Sequence, residues 1–501
     1  MAFLSTGAVL ARKKADDGDA ADNLGARGAH GLKHACLSLR RRGRWVLGTC
    51  LASAALLAIL GAVVQASDSQ VEAASAREPS VGQAPVGKLS LHRAARRATI
   101  PAGGPVQPPN APNDTTPIHV VISAFRDGER CARTIGFALE KAQHPDRVHF
   151  RVLQAVDEKT DTTCANHFVR NQLRELCKLT KDRRRCYSNI LDRIRMWTIP
   201  KEEAMGPAHQ RGVLNERLDF ESTEALCMTI DSHMDFRMQW DALMIADWLA
   251  TRNEFAVLTS YPMSTLRNQD QVYSTCHVDL CGYWLEDGIP RGRRGGNLPN
   301  DPSGVPYLTM NWAAGYSFHR CHADRNVPVD PLLKWIFTGE EISRAVRLWT
   351  HGYDLYLPSM VAVYHDYSAA KQEFWRWGGV ARVLQKKRSH ARLRTLLRLD
   401  GPSAAELAAG LGDFGVGSQR TLEQYVAWSR LDFGTKHWDD FLRSKNLTVV
   451  GDKRNSEGPH DFCQTLRRVP VANEEALYAS ILSGGPVREK IPAPVIMEPP
   501  L

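Results

Sequence analysis

The chain has 501 residues, 43% hydrophobic and 24% charged, with net charge +9 and pI near 9.0. That length and apolar content allow one large or two ordinary domains with a buried core. The basic balance suits an anionic ligand, but no zinc-finger spacing, RNP-like motif or basic helix repeat is present, which argues against a nucleic-acid partner.

Residues 1–44 are rich in Gly, Ala and Asp and read as a disordered cytosolic tail. Arg40, Arg41, Arg42 and Arg44 then precede an uncharged stretch, 45–66 (WVLGTCLASAALLAILGAVVQA). A bilayer crossing takes about 20 such residues. Asp68, Glu72 and Glu78 follow. The positive-inside rule therefore puts the N-terminus in the cytosol and everything after residue 66 in the lumen. A cleaved signal peptide is the alternative, against which the long polar leader counts. Residues 67–116, rich in Ala, Pro, Ser and Gln, read as a luminal stem.

Nine of the 11 cysteines, all but Cys36 and Cys50, fall on the luminal side, where disulfides form. Their spacings fit no common zinc pattern, and their connectivity is not readable. Asn113-Asp114-Thr115 and Asn446-Leu447-Thr448 are glycosylation sequons that count only in a lumen.

The folded part begins at Pro117. Ile118 to Ser123 reads as a buried strand, Arg133 to Lys141 as a helix, His144-Pro145-Asp146 as a turn, and Val148 to Val156 as a second strand. Strand, helix, strand opens a parallel α/β sheet. Residues 158–198, polar and basic, read as a helix-and-loop insertion. A helix over Ala208 to Leu218 precedes the apolar strand Ala225 to Ile230, which ends in Asp231-Ser232-His233. A helix over Asp241 to Thr251 and a strand over Ala256 to Ser260 follow. Residues 284–305 read as a charged loop, either a closing element over a ligand or plain surface. Trp335 to Leu348 reads as a helix, and Met360 to Tyr364 as a strand ending at His365.

In a strand, alternate residues share one side of the backbone, so Asp231 and His233 converge. A carboxylate oxygen and an imidazole nitrogen suit a divalent cation, and His365 could complete a ligand set of Asp231, His233 and His365. The triplet alone equally fits a strand-end turn with a capping Asp. Ser123-Ala124-Phe125-Arg126-Asp127 closes the first strand, where open α/β sheets bind ligands, though a plain loop fits as well. Arg211 could pair with a phosphate or lie on the surface. Glu340 and Glu341, in a helix's first turn, could complement the helix dipole or contact sugar hydroxyls. Trp312-Ala313-Ala314-Gly315-Tyr316 could form a sugar-stacking floor or part of the core.

Seven segments occur in an order that resembles a known family. They are Ser123–Asp127, His144–Val148, Glu203–Pro207, Ile230–Met234, Gly339–Ser343, Arg347–Asp354 and Gly417–Tyr425. Together, over about 117–435, they resemble the polypeptide GlcNAc-transferases related to the hydroxyproline GlcNAc-transferase of a ubiquitin-ligase adaptor. The resemblance implies an α/β fold of the GT-A type, a Rossmann-like mixed sheet flanked by helices, with 436–501 as a C-terminal extension. It implies a UDP-GlcNAc donor, a divalent cation (Mn2+ or Mg2+), a polypeptide acceptor and retention of anomeric configuration. Asp231, His233 and His365 become the metal ligands. Ser123, Phe125 and Arg126 are placed near the uridine, Arg211 and Asp231 near the donor phosphates, and Glu340 and Glu341 with Asp231 in the catalytic centre.

Two features depart from the adaptor-modifying branch. That branch is cytosolic, whereas the anchor here implies a single-pass type II protein of the Golgi membrane acting on Ser/Thr of secretory proteins. Ala208-His209-Gln210-Arg211 also stands where aromatic or Cys residues are common, so the acceptor side differs. Rival readings are a transferase with another nucleotide sugar or a glycan acceptor, an inactive sugar-binding membrane protein, and a metal-dependent hydrolase. The last lacks a second carboxylate-rich cluster.

Overall fold

A computed structural model describes residues 108, 110–218, 224–265, 276–278, 280, 282–293, 297–299, 304–368, 374, 379–401, 409–431 and 433–447. The expected tail, the membrane segment 45–66 and most of the stem lie outside the described residues, as do the side chains of Cys276, Cys281 and Cys463. Among the described residues no helix is long and apolar enough to cross a membrane.

The domain opens with β1 (Ile118–Phe125), α1 (Gly128–Lys141) and β2 (Val148–Val156). In β1, Ile118, Val120 and Ile122 pack into the largest core cluster, while Val121 joins Leu153 and Leu214 on the opposite face. A strand buried on both faces belongs in the middle of a covered parallel sheet. In α1, Cys131, Ile135, Ala138 and Leu139 repeat at helical spacing and face that core.

Next come α2 (Arg183–Leu191), β3 (Ile194–Pro200), α3 (Pro207–Glu216), β4 (Leu226–Ile230), β5 (Met234–Phe236), α4 (Trp240–Ala250), β6 (Ala256–Thr259) and β7 (Met263–Ser264). A run of short strands follows: β8 (Cys276–Val278), β9 (Gly282–Glu286), β10 (Ile289–Arg293), β11 (Asn297–Pro299) and β12 (Tyr307–Leu308). The domain then continues through β13 (Tyr316–Arg320), α5 (Glu340–Thr350), β14 (Asp354–Leu357), β15 (Val363–His365) and α6 (Gly379–Leu396). It closes with α7 (Leu422–Ser429) and α8 (Lys436–Ser444), the latter seated by Trp438, whose indole N–H donates to Leu397 O at 3.0 Å.

The main sheet has eight strands in the order β12-β14-β6-β13-β4-β1-β2-β3. β1, β2, β3 and β4 pair in parallel, and β14 pairs in parallel with β6. β13 runs antiparallel between β4 and β6. The fold is therefore the mixed-sheet α/β architecture expected. The C-terminal ends of β1, β2, β4, β6 and β14 lie along one edge. A separate three-stranded sheet, β5-β15-β7, stands beside that edge.

Several local expectations are corrected. The 158–198 segment is not wholly insertion, because Ile194–Pro200 forms the outermost strand; alternating half-buried and exposed residues on a sheet edge left no apolar run to see. The 284–305 loop contains the hairpin β9–β10, turned by Asp287 and Gly288 at φ 53° and 72°. The 335–348 helix starts only at Glu340, because Gly339 takes φ 106° and interrupts it. α1 begins at Gly128 rather than Arg133. Of the two readings left open for Trp312 and Tyr316, the core holds, since they are 3% and 2% exposed. The strand ending at His365, whose sheet the sequence left unassigned, belongs to the small sheet.

At the opposite, N-terminal edge the carboxylate of Asp241 gathers three donors. It accepts from the backbone N–H of Gln143 (2.6 Å) and His144 (3.0 Å) and from Arg147 Nε (2.9 Å), while Arg147 Nη1 reaches Asn113 O at 3.0 Å. Asp241 is fully buried. Removing one partner of a buried ion pair strands the other charge and costs about 3–5 kcal/mol. Asp241→Ala is expected to lower unfolding stability by that amount in urea titration; a loss under about 1 kcal/mol would deny the carboxylate this role.

Candidate functional site

β4 is buried along its whole length and delivers Asp231 to the sheet's C-terminal edge. The chain then turns through Ser232 and His233 into β5. β15 pairs antiparallel with β5, setting His365 opposite Met234, and Asp366 N–H donates to His233 O at 2.9 Å. Two residues at the end of one strand thus meet a histidine 134 positions away from Asp231. The donor atoms of Asp231, His233 and His365 lie within 4.8 Å of one another. His365 Nε2 stands 3.2 Å from Asp231 Oδ2, and the two imidazoles meet edge-on with centroids 4.6 Å apart.

The surroundings orient this triad. His233 Nδ1 bonds Asp127 Oδ2 at 3.0 Å, which leaves Nε2 for a ligand. Metal-binding histidines characteristically give their second nitrogen to a carboxylate in this way. Asp127 also accepts from Arg130 Nε (2.8 Å) and from the Ser232 hydroxyl (3.1 Å). Burial alone would push the Asp127 carboxyl up, but His233 and Arg130 hold it below its ordinary value. The Thr134 hydroxyl donates to Ser232 O (3.0 Å) and accepts from Met234 N–H (2.8 Å), fixing the turn that carries both ligands. His365 Nδ1 is buried with no hydrogen-bond partner among the described residues. For Asp231, burial pushes the carboxyl up, yet the His365 hydrogen bond and the Arg211 charge hold it well below the usual range. One anionic oxygen and two imidazole nitrogens suit an intermediate divalent ion such as Mn2+, so the residues present fit a cation.

A cavity of about 420 Å3 opens beside the triad. Arg211, from the first turns of α3, spans its wall, with Nη2 2.7 Å from Asp231 Oδ1 and Nη1 2.7 Å from Glu340 Oε1. Ala314 and Gly315 supply a small-residue floor. A Cβ at Gly315 would lie 3.4 Å from both Asp231 Oδ2 and Pro262 Cδ. Gly339 lets α5 begin where it does, since a Cβ there would meet Leu393 Cδ1 at 2.3 Å. Glu341 accepts from the Tyr261 hydroxyl (2.5 Å) and from Ala314 N–H (3.0 Å). Arg291 of β10 closes another side, paired with Glu286 at 2.5 Å and lying over the Phe337 ring at 4.9 Å.

The structure therefore brings together Asp231, His233 and His365, and sets Arg211, Glu340 and Glu341 around the adjoining cavity. It places the β1 residues elsewhere along the edge. Arg126 forks onto Asp161 with two bonds of 2.8 Å and lines a separate cleft with Asp127 and Arg130. Ser123 is half-buried in β1, and Phe125 meets Phe374 edge-on at 5.0 Å. Sequence reasoning missed Asp127, Tyr261 and Arg291 as site residues. Asp127 lies inside a quoted motif, but nothing local signals its tie to a histidine 106 positions on.

Burial pushes the Glu341 carboxyl up to about 7, with the neighbouring Glu340 adding to the effect. The folded chain therefore keeps a proton that the unfolded chain loses near the ordinary value of 4.5. The stabilisation is full below that value and disappears as pH rises through about 7. Glu341→Gln should flatten the fall in thermal stability between about pH 5 and pH 8. An unchanged slope in melting temperature against pH would count against it.

A glycosyltransferase family model, described as Glycosyltransferase (GlcNAc), matches residues 117–435. No curated protein matches the chain in sequence. Among solved structures, the chain is similar to GalNAc-T7 with UDP, GalNAc and Mn2+, at 13% identity and TM-score 0.38, covering 68% of this chain and 56% of that one. It thus spans little more than half of that protein's length. It is also similar to the mannosyltransferase PcManGT of Pyrobaculum calidifontis with GDP-Man and Mn2+ (10% identity, TM-score 0.33, 79% and 91% covered). A third is S. aureus TarS 1–349 with UDP-GlcNAc (11% identity, TM-score 0.33, 74% and 93% covered). The family match takes in most of the chain, with every residue of the triad and of the cavity wall inside it, and the chain belongs to the GlcNAc glycosyltransferase family.

Proposed function

We propose that this glycosyltransferase has a GT-A fold and moves GlcNAc from UDP-GlcNAc to hydroxyl groups of polypeptides, Ser/Thr or hydroxyproline, with retention and with a divalent cation. The observation that carries the reading is the Asp231–His233–His365 cluster opening onto a cavity walled by the Arg211–Glu340 pair. It is supported by the ordered motifs around it. The uncharged 45–66 segment with its basic flank supports a single-pass type II placement in the Golgi membrane, catalytic domain in the lumen.

In this reading Asp231, His233 and His365 hold the cation. When bound, it supplies positive charge to the donor diphosphate and so eases departure of UDP. Arg211, shared between Asp231 and Glu340, fixes the Asp231 carboxylate in its orientation beside the cavity. Glu340 and Glu341 offer carboxyl oxygens to sugar hydroxyls in a cavity whose floor is kept open by Gly315. Ser123 and Phe125, at the end of β1, take the nucleoside side. The acceptor hydroxyl attacks the anomeric carbon from the face that UDP leaves. The departing phosphate oxygen takes its proton, so no side-chain base is needed.

Two measurements check this. Asp231→Ala, or chelator, should reduce UDP release from UDP-GlcNAc in the presence of acceptor peptides by on the order of 100-fold or more. Unchanged metal-dependent turnover in Asp231→Ala would remove the site assignment, and turnover with a different nucleotide sugar alone would move the donor. Asp127→Ala should weaken Mn2+ binding by roughly 10–100-fold through the freed His233 ring. Titration of free Mn2+ by electron paramagnetic resonance reads this directly, and undiminished affinity would reduce Asp127 to a turn residue.

A further inference from the structure

We propose that Asn113 carries an N-linked glycan. Asn113-Asp114-Thr115 is a sequon on an exposed turn just before β1. The Asn113 side-chain oxygen is fully engaged, accepting from Thr115 N–H (2.9 Å), the Thr115 hydroxyl (2.8 Å) and the Thr116 hydroxyl (3.3 Å). Its Nδ2, the atom that would bear the sugar, makes no hydrogen bond among the described residues. Substitution there breaks no contact of the folded domain.

The proposal rests on the secretory-pathway placement above, and a separate observation supports that placement. Three disulfides join described residues: Cys131–Cys164, Cys177–Cys186 and Cys227–Cys321. Such bonds persist in oxidising compartments and are rare in the cytosol. The compartment that forms them also supplies the glycan donor, a lipid-diphosphate-linked oligosaccharide. In the transfer, Asn113 Nδ2 bonds to the sugar C1 as the C1–O bond to diphosphate breaks. The lipid diphosphate leaves with the bonding electrons, and the amide proton passes to a base of the transferring enzyme.

The position is compatible with catalysis. Asn113 O is held by Arg147, at the N-terminal edge of the sheet, whereas the cavity opens at the C-terminal edge. The eight residues of β1 separate the two by about 26 Å at ~3.3 Å per residue. A glycan there is attached at the end of the sheet opposite the cavity.

The test is expression of the full chain in cells with a secretory pathway. Peptide N-glycanase treatment is followed by mass spectrometry of the Asn113 peptide, because the enzyme leaves Asp where a glycan was. Conversion of Asn113 is expected, with its loss in Thr115→Ala and its retention in Thr115→Ser. Asn113→Gln should run faster on a gel by one glycan step while UDP release stays within about twofold of the parent. An unmodified Asn113 in a chain protected from protease within intact microsomes overturns the site and leaves the topology standing. An unmodified Asn113 in a protease-accessible chain overturns both.

Discussion

The buried guanidinium of Arg211 is the interaction on which the site depends. It joins three elements that are far apart in sequence: α3 provides the arginine, the end of β4 provides Asp231, and the first turn of α5 provides Glu340. The Arg211 side chain is 6% exposed, and an unpaired charge so deep would be costly. With a carboxylate on each terminal nitrogen, the arginine is instead a rigid strut between Asp231 and the far cavity wall. Burial works against its positive charge, but Glu340 and Asp231 more than compensate, so the proton is held firmly. The start of α3 at Pro207 and the left-handed Gly339 before α5 set the angles from which the two helices present these groups.

The triad uses a second device. A single sheet edge can present side chains only at strand ends, and Asp231 and His233 exhaust what β4 and its exit turn can offer. The small sheet supplies the remainder. β15 pairs with β5, the immediate continuation of the Asp231–His233 turn, so backbone hydrogen bonding sets the register that brings His365 back. Asp127, at the start of α1, and Thr134, in its middle, then brace the turn from below. The helix after the first strand thereby fixes the turn that follows the fourth.

What the sequence revealed follows from how local each signal is. β4 was readable because a near-continuous apolar run marks a strand buried on both faces, and β2 because Val148, Phe150 and Val152 alternate with His149 and Arg151 before its buried end. The Asp-x-His at the end of β4 was readable because its geometry is contained in three residues. β3 and the β9–β10 hairpin were not, since edge strands and exposed hairpins have alternating or polar patterns that resemble loops. The Asp127–His233 bond and the Arg211 bridges were hidden for another reason. Each joins residues separated by 20 to 129 positions, and no periodicity records which distant carboxylate a side chain will meet. Trp312 shows the converse ambiguity: its sequence position fitted a stacking floor or the core, and its burial decides for the core.

Charge in the cavity explains why two adjacent glutamates are kept different. Glu340 is committed to Arg211, and Arg291 across the cavity is committed to Glu286. Beyond these pairs, Asp231 contributes the remaining negative charge facing the proposed cation site. A divalent ion would turn that balance positive, as a diphosphate requires. A second free carboxylate would cancel the gain. Glu341 is held by Tyr261 and Ala314 in surroundings that raise its affinity for a proton toward neutral pH. It can thus offer oxygen to a sugar hydroxyl while adding little charge. In the proposed function, the pairing of a committed acid with a nearly neutral one would let the cavity make polar sugar contacts and still attract an anion.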